Sequence, residues 1–309
     1  KSDNEAAIGL IRADGTAKPE LEPLVKFSKF FAANSHFMEQ RQQESVVMVI
    51  PHSQMYSTRN FATEATRRCV RAMYYHCNMQ MSSVSEYRLN AVQGIPKLLV
   101  IPSPRILNES SWQSIKNFAE QGSTVLISGP FDADDHWLHV SRTKDLGIDS
   151  VTKPVMQEEF LSIDGTEYQL GFRGDKLQRV EKAVLKNGRA AVTGTHIGKG
   201  KILWSPLPVE LAEDINSTAA LYSYALREAG CVSLFSLEDK ISSVLVAPTV
   251  FKDAVLYVLV SESDRDTNVR LTHLETQTML QLLVPAQQTE IVFLNRSNGK
   301  LLSQLKGNS

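Results

Sequence analysis

Three short runs of apolar residues, separated by predicted helices, limit the folds that this chain can adopt. The runs cover residues 45–50, 97–101 and 123–127 and are rich in Val, Ile and Leu. Continuous apolar runs without alternation are typical of strands that are covered on both faces. Helical spacing is found between them, at residues 58–75 and 111–121. Because strands that alternate with helices over short connections pair in parallel, the pattern predicts a flavodoxin-like, doubly wound, mostly parallel sheet.

The helix predicted at residues 111–121 has clear signals at both ends. Asn108 or Ser110 is suited to its N-cap, and Gly122 is suited to the position just after its last turn. A weaker strand is predicted at residues 78–82. The helical pattern returns at residues 217–229 and closes the α/β region.

Two hairpins are predicted between the third strand and the last helix. Asp164-Gly165 is a two-residue turn between residues 161–163 and 167–170, within an antiparallel insertion expected at about residues 150–175. Gly198-Lys199-Gly200 is a second turn signal.

The end of the chain has a different pattern. Six short alternating runs follow one another without a helix, and this spacing predicts a small all-β sandwich. The runs are residues 244–247, 254–260, 268–274, 279–284, 289–294 and 301–305.

Composition excludes several classes of protein. The net charge is -1, the pI is about 6.7, and Lys and Arg form no run of five, so the chain has no footprint of a nucleic-acid binder. No apolar stretch approaches the roughly 18 residues of a membrane span.

The three cysteines, Cys69, Cys77 and Cys231, form no CxxC or Cys/His pattern, so we expect free, buried thiols, no metal site and no cofactor. Because the chain begins with Lys1 and not Met, we expect a piece of a longer protein.

The N-terminal segment predicts an extended piece, a turn at Asp14-Gly15 and a helix from about Pro19 to Ala33. Phe27 and Phe30 lie on an aromatic face of this helix. A single helix cannot bury that face alone, so we expect it to pack against the next domain or against a part of the protein outside this chain.

A cluster of polar side chains follows the third strong strand. It comprises Asp132, Asp134, Asp135, His136 and Trp137. His52 and Arg105 end the other two strong strands, and the carboxyl edge of such a sheet is where ligands collect. The cluster is therefore a candidate site for a sugar or a cation, and the alternative is a solvated loop that contacts a neighbouring domain or subunit. Trp112 and Trp204 are expected to pack in cores, and Trp137 is left open.

Catalytic residues are not predicted. No acidic residue here matches a motif for a pair of catalytic carboxylates. A glutaminase would need a cysteine on a sharp strand-to-helix turn, whereas Cys69 and Cys77 lie on or just after a helix and Cys231 follows a helix-ending glycine.

Three motifs resemble parts of one family of enzymes. Residues 9–19, G-L-I-R-A-D-G-T-A-K-P, resemble the stretch that introduces the final helix of a glycoside hydrolase (β/α)8 barrel, of family 42 or a family 5-like enzyme. Residues 97–104 (K-L-L-V-I-P-S-P) and 121–130 (Q-G-S-T-V-L-I-S-G-P) are similar to the trimerisation domain of family 42 β-galactosidases. Gly198-Lys199-Gly200 matches the late G-x-G-x-V hairpin of that domain.

The resemblance implies a division of the chain and a role. Residues 1–43 would be the tail of a barrel, 44–235 a domain with a class I glutamine-amidotransferase-like fold, and 236–309 a C-terminal β-sandwich. The chain would be the non-catalytic accessory and oligomerisation region of a glycosidase that acts on O-glycosidic bonds. Its partners would be its own barrel, further copies of the chain in a trimer and a carbohydrate. Neither a nucleic acid nor a membrane would be a partner. The compartment would be extracellular or periplasmic. The alternative is a stand-alone carbohydrate-binding protein.

Overall fold

A computed structural model of the protein describes residues 9–55, 61–186, 188–239 and 241–307. Residues 58–60 of the predicted helix 58–75, and the parts of the chain before residue 9 and after residue 307, lie outside these ranges. The described helices are α1 (Leu21–Ala33), α2 (His52–Met55), α3 (Phe61–Arg71), α4 (Glu109–Gln121), α5 (Lys176–Arg179) and α6 (Ile215–Glu228). None of them is long and apolar enough to cross a membrane.

The α/β region is built on one six-stranded sheet. Its strands, with those of two small sheets, are β1 (Val46–Ile50), β2 (Ser82–Ser85), β3 (Leu98–Ile101), β4 (Thr124–Ser128), β5 (Ser150–Pro154), β6 (Glu158–Ile163), β7 (Thr166–Gly171), β8 (Glu181–Leu185), β9 (Thr193–Ile197) and β10 (Gly200–Ser205). The order in the main sheet is β2-β1-β3-β4-β10-β9. Neighbours from β2 to β10 are parallel, and the edge strand β9 is antiparallel to β10. The prediction of a mixed α/β fold with a parallel sheet is confirmed.

The two faces of the sheet are covered by different helices. Val46 and Met48 of β1 lie in one core with side chains of α3 and α6. Val47 and Val49 point the other way and lie in a second core with Trp112 of α4. Because successive side chains of a strand point to opposite faces, a continuous apolar run fills both cores.

The edge strand β2 begins four residues later than the predicted strand 78–82. After α3 the chain makes a π-helical turn, and Asn78 then adopts a positive φ of 50°. Pairing with β1 begins at Ser82, opposite Val47. An edge strand has a neighbour on one side only, so its weak apolar pattern did not reveal its register.

The end signals of α4 are confirmed. The Asn108 side chain accepts a 2.7 Å hydrogen bond from the Ser111 amide and so caps the first turn. Gly122 follows the helix with a positive φ of 127°. The Gly198-Lys199 turn between β9 and β10 lies against this end of α4, since the Lys199 amide donates to the Glu120 carbonyl at 3.0 Å.

Two small antiparallel sheets stand between β4 and β9. β6 pairs with β7 through a turn in which Asp164 and Gly165 both have positive φ, as their sequence predicts. β5 pairs with β8, so the antiparallel region extends to Leu185, past the predicted limit of about residue 175. The predicted limit was too short because the partner of β5 lies about 30 residues further along the chain.

The C-terminal region is a two-sheet sandwich, as predicted. Its strands are β11 (Phe235–Leu237), β12 (Val244–Val250), β13 (Ala254–Ser261), β14 (Thr267–His273), β15 (Thr278–Val284), β16 (Thr289–Asn295) and β17 (Leu301–Leu305). The sheets have the orders β11-β14-β15 and β12-β13-β16-β17, and an apolar core lies between them. The short strand β11 was not predicted, because three residues carry too little alternation.

Helix α1 packs against the outer face of this sandwich. The rings of Phe30 and Phe37 lie 6.0 and 5.8 Å from the ring of Phe293 on β16. Phe251 and Phe27 belong to the same apolar cluster. The aromatic face of α1 is thus covered by the sandwich, which is one of the two alternatives that its sequence allows.

Candidate ligand-binding site

Three serines lie side by side at the carboxyl edge of the parallel sheet. Ser128 ends β4, Ser205 ends β10, and Ser103 follows β3 by two residues. The Ser103 amide donates a 2.9 Å hydrogen bond to Ser128 Oγ. The ends of adjacent parallel strands meet at one edge, so these residues are close although they are far apart in sequence.

A buried carboxylate, Glu210, joins these strand ends to helix α6. Its Oε2 accepts hydrogen bonds from Ser103 Oγ at 2.7 Å and from Ser128 Oγ at 2.5 Å. Its Oε1 accepts a 2.6 Å hydrogen bond from the hydroxyl of Tyr222. Burial holds the pKa of Tyr222 well above its usual value, so the phenol keeps the proton that it donates. The three hydroxyl groups provide the hydrogen bonds that a buried carboxylate requires.

A pocket opens beside this network. Its empty volume is about 410 Å³, part of it open to solvent. Its apolar walls are Phe61, Pro130, Val180, Pro208 and Leu211, and its polar groups are Gln54, Ser103, Arg105, Arg179 and Glu181. Trp137 completes the lining. Mostly apolar walls with a few convergent polar groups are typical of small-molecule sites.

Arg105 is held in the pocket by two carboxylates. Its Nε lies 2.8 Å from Glu181 Oε2, and its Nη1 contacts Asp132 Oδ1. Asp132 also accepts a hydrogen bond from the Thr152 hydroxyl. Both ion pairs are partly shielded from water, which strengthens them relative to fully exposed pairs.

The acidic loop after β4 is organised by its own backbone. Asp134 Oδ1 accepts hydrogen bonds from the amides of His136 and Leu138, both at 2.9 Å. Asp135 and His136 are exposed. Over the described ranges there is no group of three His, Cys, Asp or Glu side chains that could hold a metal ion. The loop carries Trp137 to the pocket, where its side chain is 52% exposed.

The seven predicted site residues therefore separate into groups. Arg105 and Trp137 line the pocket, and Asp132 binds Arg105. Asp134 shapes the loop, and the exposed residues Asp135 and His136 are not among those that line the pocket. The ring of His52 lies 5.5 Å from that of Tyr87 and does not line the pocket.

The cysteines have the environment of structural thiols. Burial raises the pKa of Cys69, Cys77 and Cys231. A catalytic cysteine needs the opposite shift, because the thiolate is the nucleophile. All three thiols are free, as predicted, but only Cys69 is buried, whereas Cys77 and Cys231 are partly exposed. The predicted burial of Trp112 and Trp204 is confirmed.

Gln54, Ser103, Ser128 and Glu210 were not predicted as site residues. The sequence does contain a signal for the two serines, because each lies close to proline. Ser103 lies between Pro102 and Pro104, and Ser128 is followed by Gly129-Pro130. Small polar residues beside prolines end the strands sharply at the edge of the sheet. Glu210 has no such signal, since its partners come from three distant parts of the chain.

The fold is a mixed α/β region followed by a β-sandwich, and solved glycoside hydrolases contain a similar fold. No protein-family model and no curated protein matches the sequence. The GH42 β-galactosidase Gan42B of G. stearothermophilus superposes on 93% of this chain with a TM-score of 0.68 and 12% identity. The β-galactosidase of Bacillus circulans sp. alkalophilus superposes on 92% with a TM-score of 0.65 and 13% identity.

A third similar structure is an enzyme of a different name. The α-L-fucosidase isoenzyme 2 of Paenibacillus thiaminolyticus superposes on 96% of this chain with a TM-score of 0.59 and 12% identity. The chain covers 46% of each of the two β-galactosidases and 53% of the fucosidase. It therefore has a fold found in glycoside hydrolases and spans about half of their length.

Proposed function

We propose that this chain is the non-catalytic accessory and assembly region of a larger glycoside hydrolase of the β-galactosidase type. One observation carries the proposal: 93% of the chain superposes in order on 46% of a GH42 β-galactosidase. A match of this extent spans both the α/β region and the sandwich. The catalytic barrel would be supplied by the part of the enzyme outside this chain.

The same observation supports the proposed division of the chain. Residues up to 43 would end a barrel, residues 44–235 would form the amidotransferase-like trimerisation domain, and residues 236–309 the C-terminal sandwich. The packing of α1 on Phe293 supports this arrangement, because it would connect the barrel to the sandwich rigidly.

The carboxylates at the pocket favour a role without catalysis. Glycosidases place two carboxyl groups about 5 to 10 Å apart across the scissile bond. Here Asp132 and Glu181 both bind Arg105, and Glu210 is buried under three hydroxyl groups. None of the three is thereby left free to act as acid, base or nucleophile on a sugar.

Exposed apolar side chains favour a role in assembly. Four large ones lie on the loop after β4 and on the antiparallel region: Leu138, Val151, Met156 and Phe160. Large exposed apolar side chains that cluster mark protein interfaces more often than ordinary surface. We propose that this part of the α/β region contacts other subunits.

The intact mass of the protein from its native cell tests the enzyme assignment. A catalytic barrel would add roughly 250 residues or more to this chain. The chain alone should then leave nitrophenyl β-galactosides intact, while the native protein hydrolyses them. A native product of the present length, or hydrolysis by the chain itself, would refute the proposal.

Sedimentation velocity tests the assembly role separately. We expect self-association of the native protein, weakened by Met156→Asp and unchanged by Met279→Asp, a control at an exposed methionine of the sandwich. A native protein that stays monomeric at the highest soluble concentration would contradict this role and leave the enzyme assignment standing.

A further inference from the structure

Strained backbone is concentrated at the pocket on the carboxyl edge of the sheet. Eight described residues other than glycine have a positive φ, and three of them line this pocket. They are Ser103 at 42°, Arg105 at 48° and Trp137 at 63°. This region of φ is costly for a bulky side chain such as Trp, and such strain clusters at ligand sites. Hydrogen bonds to Glu210 and Asp132 hold the first two residues in place.

Gln54 adds an independent observation. Its side chain lines the pocket and the residue is only 2% exposed. Among the residues that the structure describes, its Oε1 has no hydrogen-bond partner. Leaving a buried amide oxygen without a partner costs free energy, so a native protein retains it where a ligand or water completes it. The missing partner must be a hydrogen-bond donor, because a carbonyl oxygen only accepts.

The charged groups at the pocket include no excess of positive charge. The positive charge of Arg105 is opposed by Asp132 and Glu181, and Arg179 at the rim lies 3.9 Å from Asp175. Two cations thus face three anions, which leaves no excess positive charge for a phosphate or a carboxylate. A neutral ligand avoids the cost of bringing a further charge out of water.

We propose that this pocket binds a neutral polyhydroxylated ring, one hexopyranose unit of a carbohydrate. The apolar face of the ring would stack on Trp137 and the apolar walls. One hydroxyl would donate to Gln54 Oε1, and others would accept from Arg105 or donate to the free lone pair of Ser103 Oγ. The proposal adds a non-catalytic binding function and does not depend on the assembly role.

The tryptophans provide a direct measurement. Trp112 and Trp204 are buried, whereas Trp137 is half exposed, so acrylamide quenches chiefly Trp137 fluorescence. Methyl β-galactopyranoside and methyl β-glucopyranoside should protect Trp137 from acrylamide with saturation at millimolar concentrations. Glucuronate and glucose 6-phosphate should protect it at least tenfold less well, which is about 1.4 kcal/mol.

Saturation-transfer difference NMR with the same glycosides tests the residues. Trp137→Ala and Gln54→Leu should each weaken binding about tenfold or more, while circular dichroism confirms their fold. Phe160→Ala, which removes another half-exposed aromatic ring away from the lining, should bind as the unaltered protein does. Sedimentation velocity of the Trp137 variants, including Trp137→Phe, which keeps an aromatic ring, shows whether the oligomeric state changes. A variant that loses sugar binding with an unchanged oligomeric state has lost the binding site and not the assembly.

Three results would overturn the proposal. The first is the absence of saturable binding of any neutral pyranoside. The second is preferential binding of the charged sugars, and the third is binding that neither Trp137→Ala nor Gln54→Leu weakens. Each of these leaves the assignment to a larger glycosidase unaffected, because that rests on the fold and the native mass.

Discussion

Ser103 Oγ donates a 2.7 Å hydrogen bond to Glu210 Oε2, and this contact joins the end of β3 to the short turn Val209–Leu211 after β10. Ser128 at the end of β4 donates to the same oxygen. The side chain of one buried residue therefore fixes the relative positions of three strand ends and of α6, which contributes Tyr222. Ser103, which lines the pocket, is held in place by this network.

Replacing Glu210 by Leu should destabilise the α/β region by at least about 3 kcal/mol, because three buried hydroxyl groups lose their acceptor. All three tryptophans precede residue 231, so their fluorescence during urea unfolding reports on this region alone. Glu228→Gln is the control. It removes a partly exposed ion pair with Lys201 and should cost no more than about 1 kcal/mol. Equal losses for the two variants would contradict the role assigned to Glu210.

Gly200→Ala should be among the most damaging single-methyl additions in the chain. A Cβ at Gly200 would lie 2.2 Å from the Ser123 carbonyl oxygen and 2.6 Å from that of Ala119. We expect a loss of about 2 to 3 kcal/mol in the same urea assay, because neither backbone can move freely. A Cβ at Gly165 would have no atom within 4 Å, so Gly165→Ala should lower the free energy of unfolding by only about 1 kcal/mol, because of the positive φ at this position. A smaller loss at Gly200 would show that α4 can shift.

Phe30→Ala should loosen the contact between α1 and the sandwich. The Phe30 ring is half-buried against Phe293, so its removal should cost about 1 to 2 kcal/mol. Hydrogen exchange of the amides in α1 and β16 measures this loss locally. Leu24→Ala, at an exposed position of the same helix, should leave exchange unchanged. Unaltered exchange in Phe30→Ala would mean that α1 is held by other contacts.

His273 should make the sandwich less stable in mild acid. Its ring is fully buried, and the Tyr257 hydroxyl lies 2.8 Å from its Nδ1. Burial lowers the pKa of His273 below 6.5, and the opposing attraction of Glu275 is the smaller effect. Because the folded-state pKa lies below the unfolded one, stability is full above about pH 6.5 and falls as the pH drops below it.

The measurement is hydrogen exchange of β13 and β14 at pH 7 and pH 5.5, corrected for intrinsic exchange. His273→Gln keeps a polar side chain that does not titrate, so its sandwich should lose less stability over this interval than the unaltered protein. Parallel losses in the two proteins would assign the acid sensitivity to other groups.

Much of the backbone could be predicted because its signals are local. The strands at residues 97–101 and 123–127 were expected from apolar runs that need two covered faces, and they occur at Leu98–Ile101 and Thr124–Ser128. Asn108 and Gly122 bound α4, and Asp164-Gly165 turns the hairpin, because caps and turns depend on the chemistry of two or three adjacent residues. The aromatic face of α1 likewise predicted that this helix must pack against another part of the protein.

The identity of partners was decided only by the tertiary structure. Arg105 and Trp137 could be expected at the carboxyl edge of the sheet, but their meeting with Gln54 in one pocket depends on how three strand ends and a loop come together. Phe30 packs on Phe293, 263 positions further along the chain. Glu210 accepts hydrogen bonds from three hydroxyl groups, of which the nearest in sequence, that of Tyr222, is 12 positions away. A sequence determines which side chains must be buried or satisfied, since hydrophobicity and hydrogen-bonding capacity belong to each residue. Which distant residues cover and satisfy them is determined by strand order and packing, which no local pattern contains.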